Sequence, residues 1–466
     1  MTRPNRPGAY GAVLALVVAS TFWSMVAYAG PLGNAVTLSA ALDASAAGTT
    51  WVLASMSVGL AVTLLAAGVV ADALGRARVF ALGAMVFAGA NVVCAVVGST
   101  WPFVVARVVV GLGAAGMIAT GLGLLAAADG DGRHRSTSAV WWSAAMGAGI
   151  ALGPLLTGVL DLAGAWRWFY VGLALAGTLL YALAGRVLPV EPPAERARRL
   201  DLVGFTLLTA FLALLVTAIV QVRAGGPALA AVLLGGSVLL LVALGLSQRR
   251  PQRLVDPGIF THRPFLGATI AGLGTGLGII AASSFLCTVL VRAVGLSTFQ
   301  AAGVLAAWSG TSALAALALV RHGPRIPGRV QLTAGLVGVA VGLVLLAGVG
   351  DPVSAWRFVP GLVVCGCASG LLNAGLARQA VATVPGGLAA TGTAANNTAR
   401  YLGAAVGISV ASVTAGTDLL AGWNRVALLA AACSLLAALA VAWLSRGERA
   451  PGVAGAPTGT WRTAAE

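Results

Sequence analysis

Charge is what this sequence has least of. Only 9% of its 466 residues are charged, and lysine is absent, so all 28 basic residues are arginine. A chain without lysine cannot carry the Gly-x-x-x-x-Gly-Lys phosphate loop, which excludes a primary pump of the P-loop kind. Acidic residues number 13 and histidines 3. His134, His262 and His322 stand singly between apolar runs, and no His, Asp or Glu cluster has metal-ligand spacing, so neither a metal site nor the clustered groups of a polytopic membrane enzyme are in evidence. Cys94, Cys287, Cys365, Cys367 and Cys433 all fall inside apolar runs and read as small hydrophobes, not as a disulfide framework.

What is present is apolar. Hydrophobic residues make up 59% of the chain, with 63 glycines and a mean hydropathy of +0.95, more than one soluble core of this length could hide. A helix needs about 20 apolar residues to cross the ~30 Å hydrocarbon layer. Such runs occur near 10–31, 48–70, 78–98, 102–127, 138–160, 168–188, 202–222, 227–247, 265–290, 300–320, 330–350, 355–377, 395–416 and 423–445, fourteen in all. The N-terminal MTRPNRPGAY runs into the first of them with no small-residue cleavage site, which predicts a retained membrane helix.

The net charge of +15 invites a nucleic-acid reading, but the arginines sit in short loops without an aromatic-interleaved basic face, so the charge reads as topological and no nucleic-acid partner is expected. Arg3, Arg6, Arg76, Arg78, Arg133, Arg135, Arg196, Arg198, Arg199, Arg249, Arg250, Arg253, Arg263, Arg321, Arg325, Arg329, Arg446 and Arg449 collect on one side, whereas Arg167, Arg223, Arg292, Arg357 and Arg425 are isolated on the other. Positive loops stay inside, so both termini are predicted to be cytoplasmic in a multi-pass protein of the cell membrane. The charged linker LPVEPPAERARRLD (Leu188 to Asp201) follows the sixth span, and QRRPQRLVDPGIFTHRP (Gln248 to Pro264) follows the eighth. The predicted organisation is a six-helix bundle over 1–190, linkers with two inserted membrane helices over 191–264, a second six-helix bundle over 265–446 and a disordered tail over 447–466.

The stretch GVVADALGRARVF (Gly68 to Phe80) concentrates charge between the second and third spans. Gly68 suits close helix approach and Gly75 a tight turn. Asp72 could accept bonds from a neighbouring helix N-terminus, with Arg76 and Arg78 as pairing partners. On its charges alone this is also what a solvated turn with inward-biased arginines looks like. The order Gly68, Asp72, Gly75, Arg76, however, resembles the Gly-x-x-x-Asp-x-x-Gly-Arg loop of the major facilitator superfamily. VRHGPRIPGR (Val320 to Arg329) is a degenerate echo after the tenth span, keeping Gly323, Arg325 and Arg329 without an aspartate. Two related halves predict such a repeat.

Further motifs fit the same resemblance. ARVVVGLGAAG (Ala106 to Gly116) places Arg107 inside the fourth span, where a charge costs about 2.5–3.5 kcal/mol and reads as functional unless it snorkels to the headgroups. The superfamily's matching arginine is implicated in proton coupling. GAGIALGPLLTGVL (Gly147 to Leu160) combines small residues every four positions with a kinking proline. Its Gly149, Gly153, Pro154 and Gly158 resemble the exporter signature of the superfamily, although the same spacing serves ordinary close helix packing. AWRWFYVGL (Ala165 to Leu173), RRLDLVG (Arg198 to Gly204) and GTAANNTARYLGAAVG (Gly392 to Gly407) extend the likeness along the chain. Together with the inserted pair they resemble the fourteen-helix drug/proton antiporter branch. The resemblance implies an all-α polytopic membrane protein with the major facilitator fold, no cofactor beyond a proton gradient, and a monomer in the lipid bilayer acting on a small molecule.

One departure matters. That branch carries an aspartate midway along the first helix and a tyrosine in the second, whereas aligning on Pro31 puts Phe22 and Met56 at those places. No acidic residue lies deep in any predicted span. A lipophilic cation in a low-dielectric cavity wants a buried carboxylate, so neutral, zwitterionic or anionic substrates are expected over cationic ones. Arginine cannot carry the proton, which leaves Asp72, Asp161 or the histidines as carriers; Asp161, at the outer end of the fifth span, is taken with Arg107 as the coupling candidate, although a plain helix-end aspartate fits the same position. Residues at plausible cavity depth are Trp23, Tyr28, Asn34, Trp141, Trp142, Ser283, Ser284, Trp308, Asn373, Asn397 and Arg400, the last two also fitting a packing or gating role. The expected function is secondary-active export of small, largely hydrophobic drugs or antibiotics by alternating access; a major facilitator importer and a polytopic membrane enzyme are the alternatives.

Overall fold

In hydrocarbon every backbone N–H and C=O needs a partner within the protein, which restricts a chain this apolar to helices or a closed barrel. A computed structural model describes residues 9–129, 133–188, 201–223, 226–247, 261–319, 326–384, 388–415 and 418–445, and every regular element among them is helical. The predicted C-terminal tail, the loop positions Gly323 and Arg325, and most of both linkers lie outside the described residues.

The helices are α1 (Ala9–Ala29), α2 (Ala35–Ala41), α3 (Ala46–Leu74), α4 (Arg76–Val96), α5 (Thr100–Ala128), α6 (Arg135–Leu162), α7 (Arg167–Val187), α8 (Leu202–Arg223), α9 (Pro227–Ser247), α10 (Arg263–Thr275), α11 (Ala281–Arg292), α12 (Thr298–Ala318), α13 (Gly328–Leu346), α14 (Val359–Ala382), α15 (Ala389–Ala415) and α16 (Leu419–Leu444). Each of the fourteen predicted spans is a helix, with α10 and α11 forming one span through a π-helical turn at Gly276–Ile280. Thirteen are long and apolar enough to cross a membrane. The fourteenth, α15, has the length, but its first half buries Asn396, Asn397, Thr398 and Arg400. The short α2 was not anticipated; it lies in the loop after the first span, where Pro31 opens the 3-10 turn Gly30–Gly33.

Helix ends are fixed by local chemistry. Gly75 joins α3 to α4 at φ 105°, a conformation strained for any residue with a Cβ. Ser45 caps α3, Ser297 and Gln300 form a capping box on α12, and the Asp418 carboxylate accepts from Leu420 and Ala421 N–H at the start of α16.

Helices α1 and α3 to α7 share one apolar core that includes Met56, Phe87, Phe103 and Tyr170. Helices α10 to α14 and α16 enclose two others, around Leu343, Phe358 and Trp423 and around Leu336, Leu372 and Val441. The inserted α8 and α9 pair with each other, and α8 packs through Leu208 and Leu212 on Val62, Leu65 and Val69 of α3 and Leu402 of α15. It therefore lies along the seam between the first six spans and the last six. Side chains such as Val232, Leu239, Leu436 and Leu439 face outward, as lipid contact requires.

Candidate functional site

The charged stretch between α3 and α4 reaches across that seam. Asp72 Oδ1 accepts from Arg76 Nε at 3.0 Å and Nη2 at 2.9 Å, four residues on. Its Oδ2 accepts from the Thr391 backbone N–H and hydroxyl, each at 2.8 Å, and Oδ1 takes a longer bond from Ala390 N–H at 3.3 Å. Ala390 and Thr391 open α15, where N–H groups have no partner within the helix and the dipole favours an anion. One carboxylate thus caps a helix of the other half while holding a guanidinium of its own. Arg76 also reaches the Gly123 carbonyl of α5, and a Cβ on Gly123 would lie 3.1 Å from the Arg76 side chain. Gly68 completes the contact: a Cβ there would lie 2.5 Å from Ala394 Cβ and 2.7 Å from the Ala390 oxygen.

The glycines of α6 serve two partners. Toward α1, a Cβ on Gly149 would lie 2.5 Å from the Phe22 oxygen and one on Gly153 2.7 Å from the Val26 oxygen. Thr157, between Pro154 and Gly158, donates its hydroxyl to the Gly30 carbonyl at 2.6 Å. Gly33 faces the Pro154 carbonyl so closely that no side chain fits. Toward α12 of the other half, a Cβ on Gly147 would lie 3.0 Å from the Ser309 oxygen, and Gly158 abuts the Phe299 ring. The motif is therefore a packing surface on both sides of one helix.

Two arginines are buried in the interior. Arg107 lies about 10 Å along α5 at 1.5 Å per residue. It is 0% exposed, so it does not snorkel, and Nη1 donates to the Ala27 carbonyl of α1 at 2.8 Å while Nε and Nη2 have no partner. Arg400 lies about 16 Å along α15, near the middle of that helix, and is 3% exposed. Its Nη2 donates to Asn373 Oδ1 of α14 at 2.8 Å and its Nη1 to Met146 Sδ of α6 at 2.9 Å. Tyr28 is within electrostatic range of both guanidiniums, and its ring meets Tyr401 edge-on at 6.0 Å between centroids.

The remaining predicted residues scatter. Asp161 accepts from the Thr37 hydroxyl of α2 at 2.8 Å, while Arg107 bonds α1, so the two coupling candidates are not brought together. Trp308 is buried with Nε1 bonded to Ser369 Oγ, and Trp142 is wholly inside the first core. Trp141, by contrast, is 42% exposed. Trp23 is half-buried, packed against that core and edge-on to Phe22. Asn34 is buried at the start of α2, Asn397 donates back to Thr393 O, and Ser283 and Ser284 bond the Ile280 carbonyl of their own helix. Sequence reasoning missed Thr391, Gly123, Met146 and Tyr401. Thr391 carries a weak signal as a hydroxyl residue near a helix start and Tyr401 one as the sequence neighbour of Arg400; Gly123 and Met146 carry none, since only tertiary packing brings them to the arginines.

The family model of the Major Facilitator Superfamily matches residues 12–408. The chain belongs to the major facilitator superfamily. Among curated relatives, this facilitator is 30% identical over 382 residues to the "Probable actinorhodin transporter" of Streptomyces coelicolor, covering 77% of this chain and 64% of that one, a little under two thirds of its length. It is 29% identical to multidrug resistance protein Stp of Mycobacterium tuberculosis, over 78% of this chain and 68% of the relative. It is also 29% identical to puromycin resistance protein pur8 of Streptomyces alboniger, over 77% and 73%. Two solved structures share its fold: the human organic anion transporter MFSD10 (TM-score 0.64, 19% identity, 94% of this chain and 100% of that one) and the proton:xylose symporter XylE (TM-score 0.67, 13% identity, 93% and 95%). The facilitator is a multi-pass membrane protein with thirteen candidate membrane spans among the described residues, and its relatives are named for drug and antibiotic transport or resistance.

Proposed function

We propose that this facilitator is a secondary-active exporter of small, largely hydrophobic molecules, drugs or antibiotics that are neutral, zwitterionic or anionic rather than cationic. It resides in the cell membrane with both termini cytoplasmic, acts as a monomer without a nucleic-acid partner, and exchanges substrate for protons by rocking one half against the other. The observation that carries the reading is the polarity of its interior: two buried guanidiniums, Arg107 and Arg400, form no ion pair, while the described carboxylates sit in loops and at helix ends. The relatives' names support export as the direction. In this reading Asp72 and Arg76 are a clamp that holds the halves at the cytoplasmic end, and the glycine face of α6 lets α1 and α12 slide past it.

The test is a resistance panel of cationic, neutral and anionic drugs in a pump-deficient host, with flux direction read in inverted vesicles. Protection against neutral and anionic compounds is expected. A purely cationic profile would sink the substrate assignment, and inward-only flux would sink export.

Proton exchange through Asp161 makes a second expectation. Asp161→Asn keeps an acceptor for Thr37 but cannot bind and release a proton. Substrate movement driven by a pH gradient in proteoliposomes is expected to fall at least about tenfold, while substrate counterflow, which needs no net proton transfer, continues. Loss of both activities would make Asp161 a structural helix-end residue.

A further inference from the structure

Two guanidiniums in the interior without a carboxylate beside either pose a physical problem. Removing a charge from water is costly unless an opposite charge or a full set of hydrogen bonds replaces the lost hydration. Arginine cannot escape the cost by losing its proton. The described carboxylates offer no relief: Asp72 is committed to Arg76 and α15, Asp129 to His134, Asp161 to Thr37, Asp201 to Gly204 and Asp418 to the start of α16, while Asp43 and Asp351 are exposed between helices.

Arg400 is the more telling of the pair because both halves touch it. Asn373 on α14 holds one edge of the guanidinium within its own half. The other edge meets Met146 Sδ on α6, in the opposite half, and a thioether is a weak acceptor. Nε has no partner at all. On the far side of α15, the π-helical turn at Gly276–Ile280 presses against the same stretch: a Cβ on Gly276 would strike the Arg400 carbonyl. That packing fixes the backbone of Arg400, whereas methionine is the most adaptable neighbour a side chain can have. The Nη1 contact crosses the seam, so it must break and reform whenever the halves move. Tyr28 and Tyr401 supply aromatic surface nearby, and Tyr28 is only half-buried.

We propose that Arg400 is an anion subsite. It takes the carboxylate, or an equivalent ionised acid, of an otherwise aromatic or aliphatic substrate; the anion displaces Met146 from Nη1 and reaches the second N–H of Nη2 beside it, while Asn373 on Nη2 keeps the guanidinium oriented. Arginine's planar fork suits a carboxylate bidentately. Arg107 adds positive potential within range of Tyr28 and discourages cations. This deepens the export reading and rests on it, since it names the substrate class that the same interior would carry.

The experiment uses the purified full-length protein and three fluorescent probes of matched apolar bulk: 1-pyrenebutyrate, its methyl ester, and a pyrenylbutyl-trimethylammonium salt. The wild-type protein is expected to bind the acid at least about tenfold more tightly than the ester, and the cation more weakly than either. Arg400→Gln and Arg400→Met should bring acid and ester to within about twofold of each other, with Arg400→Lys in between. Because an unpaired buried charge is replaced by a side chain that packs, Arg400→Met should unfold at the same temperature as wild type or higher. A merely structural arginine would give the opposite, a lower unfolding temperature and loss of all three probes alike, and that would overturn the proposal. Equal binding of acid and ester by the wild type, or binding of neither, would also overturn it. Flux in proteoliposomes separates the two readings. Outward transport of the ester or cation without any preference for the acid leaves export standing and removes the subsite. Preferential acid binding with no transport of any probe leaves the subsite and removes export.

Discussion

Asp72→Asn is expected to cut transport at least about tenfold while leaving the amount of protein in the membrane unchanged. The carboxylate receives five N–H or O–H groups, two from Arg76 and three from the first turn of α15. An asparagine offers one acceptor oxygen and one N–H₂ donor, so whichever way it turns, a donor faces another donor, at Arg76 or at Thr391. Hydrogen bonds to charged groups contribute roughly 1.5–3 kcal/mol each, and the helix N-terminus adds a smaller term. A loss of about 1.4 kcal/mol already shifts a two-state equilibrium tenfold. The loss falls on the state in which α3 and α15 meet, because the bonds to α15 exist only there, whereas membrane insertion depends on the apolar runs. Transport in proteoliposomes, membrane yield, and cross-linking between the facing ends of α3 and α15 would be compared. Full transport with unchanged cross-linking would return the stretch to an ordinary turn.

The second expected result is a contrast between two glycines. Gly153→Val should lower the unfolding temperature and abolish transport, while Gly68→Ala should leave the unfolding temperature close to wild type and reduce transport by opening the seam. A Cβ would be similarly crowded at both positions, 2.7 Å from the Val26 oxygen at Gly153 and 2.5 Å from Ala394 Cβ at Gly68. The difference is what lies opposite. Gly153 faces α1, which packs into the same core as α6, so the strain of roughly 1–3 kcal/mol is borne by the folded bundle in every state. Gly68 faces α15 across the seam, so the halves can part and relieve the clash. Thermal unfolding together with α3 to α15 cross-linking distinguishes the cases. Equal loss of stability in both variants would mean that the seam does not open.

The fourteen spans were legible because crossing hydrocarbon is decided by local composition, and each apolar run read from the sequence is a helix. The start of α15 was misjudged: the sequence points to a span near 395, whereas the helix begins at Ala389. Thr391, Thr393, Asn396 and Asn397 count against a membrane span in any tally of apolar residues, yet they are buried among other helices and away from lipid. Seven-residue α2 and the π-helical turn escaped for a related reason. Neither has a periodicity long enough to register, and both are shaped by the packing around them.

The sequence alone determined that this chain lives in a membrane, how many times it crosses, which loops carry the arginines, and that no carboxylate stands in the middle of a span. Those properties follow from hydropathy and charge, which act residue by residue. Only the tertiary structure decided what the rare charges touch. Asp72 and Thr391 are 319 residues apart, and Arg400 and Met146 are 254 apart. The pairings exist because α3 and α6 of one half lie against α15 of the other, and no local pattern encodes which helix ends up opposite which.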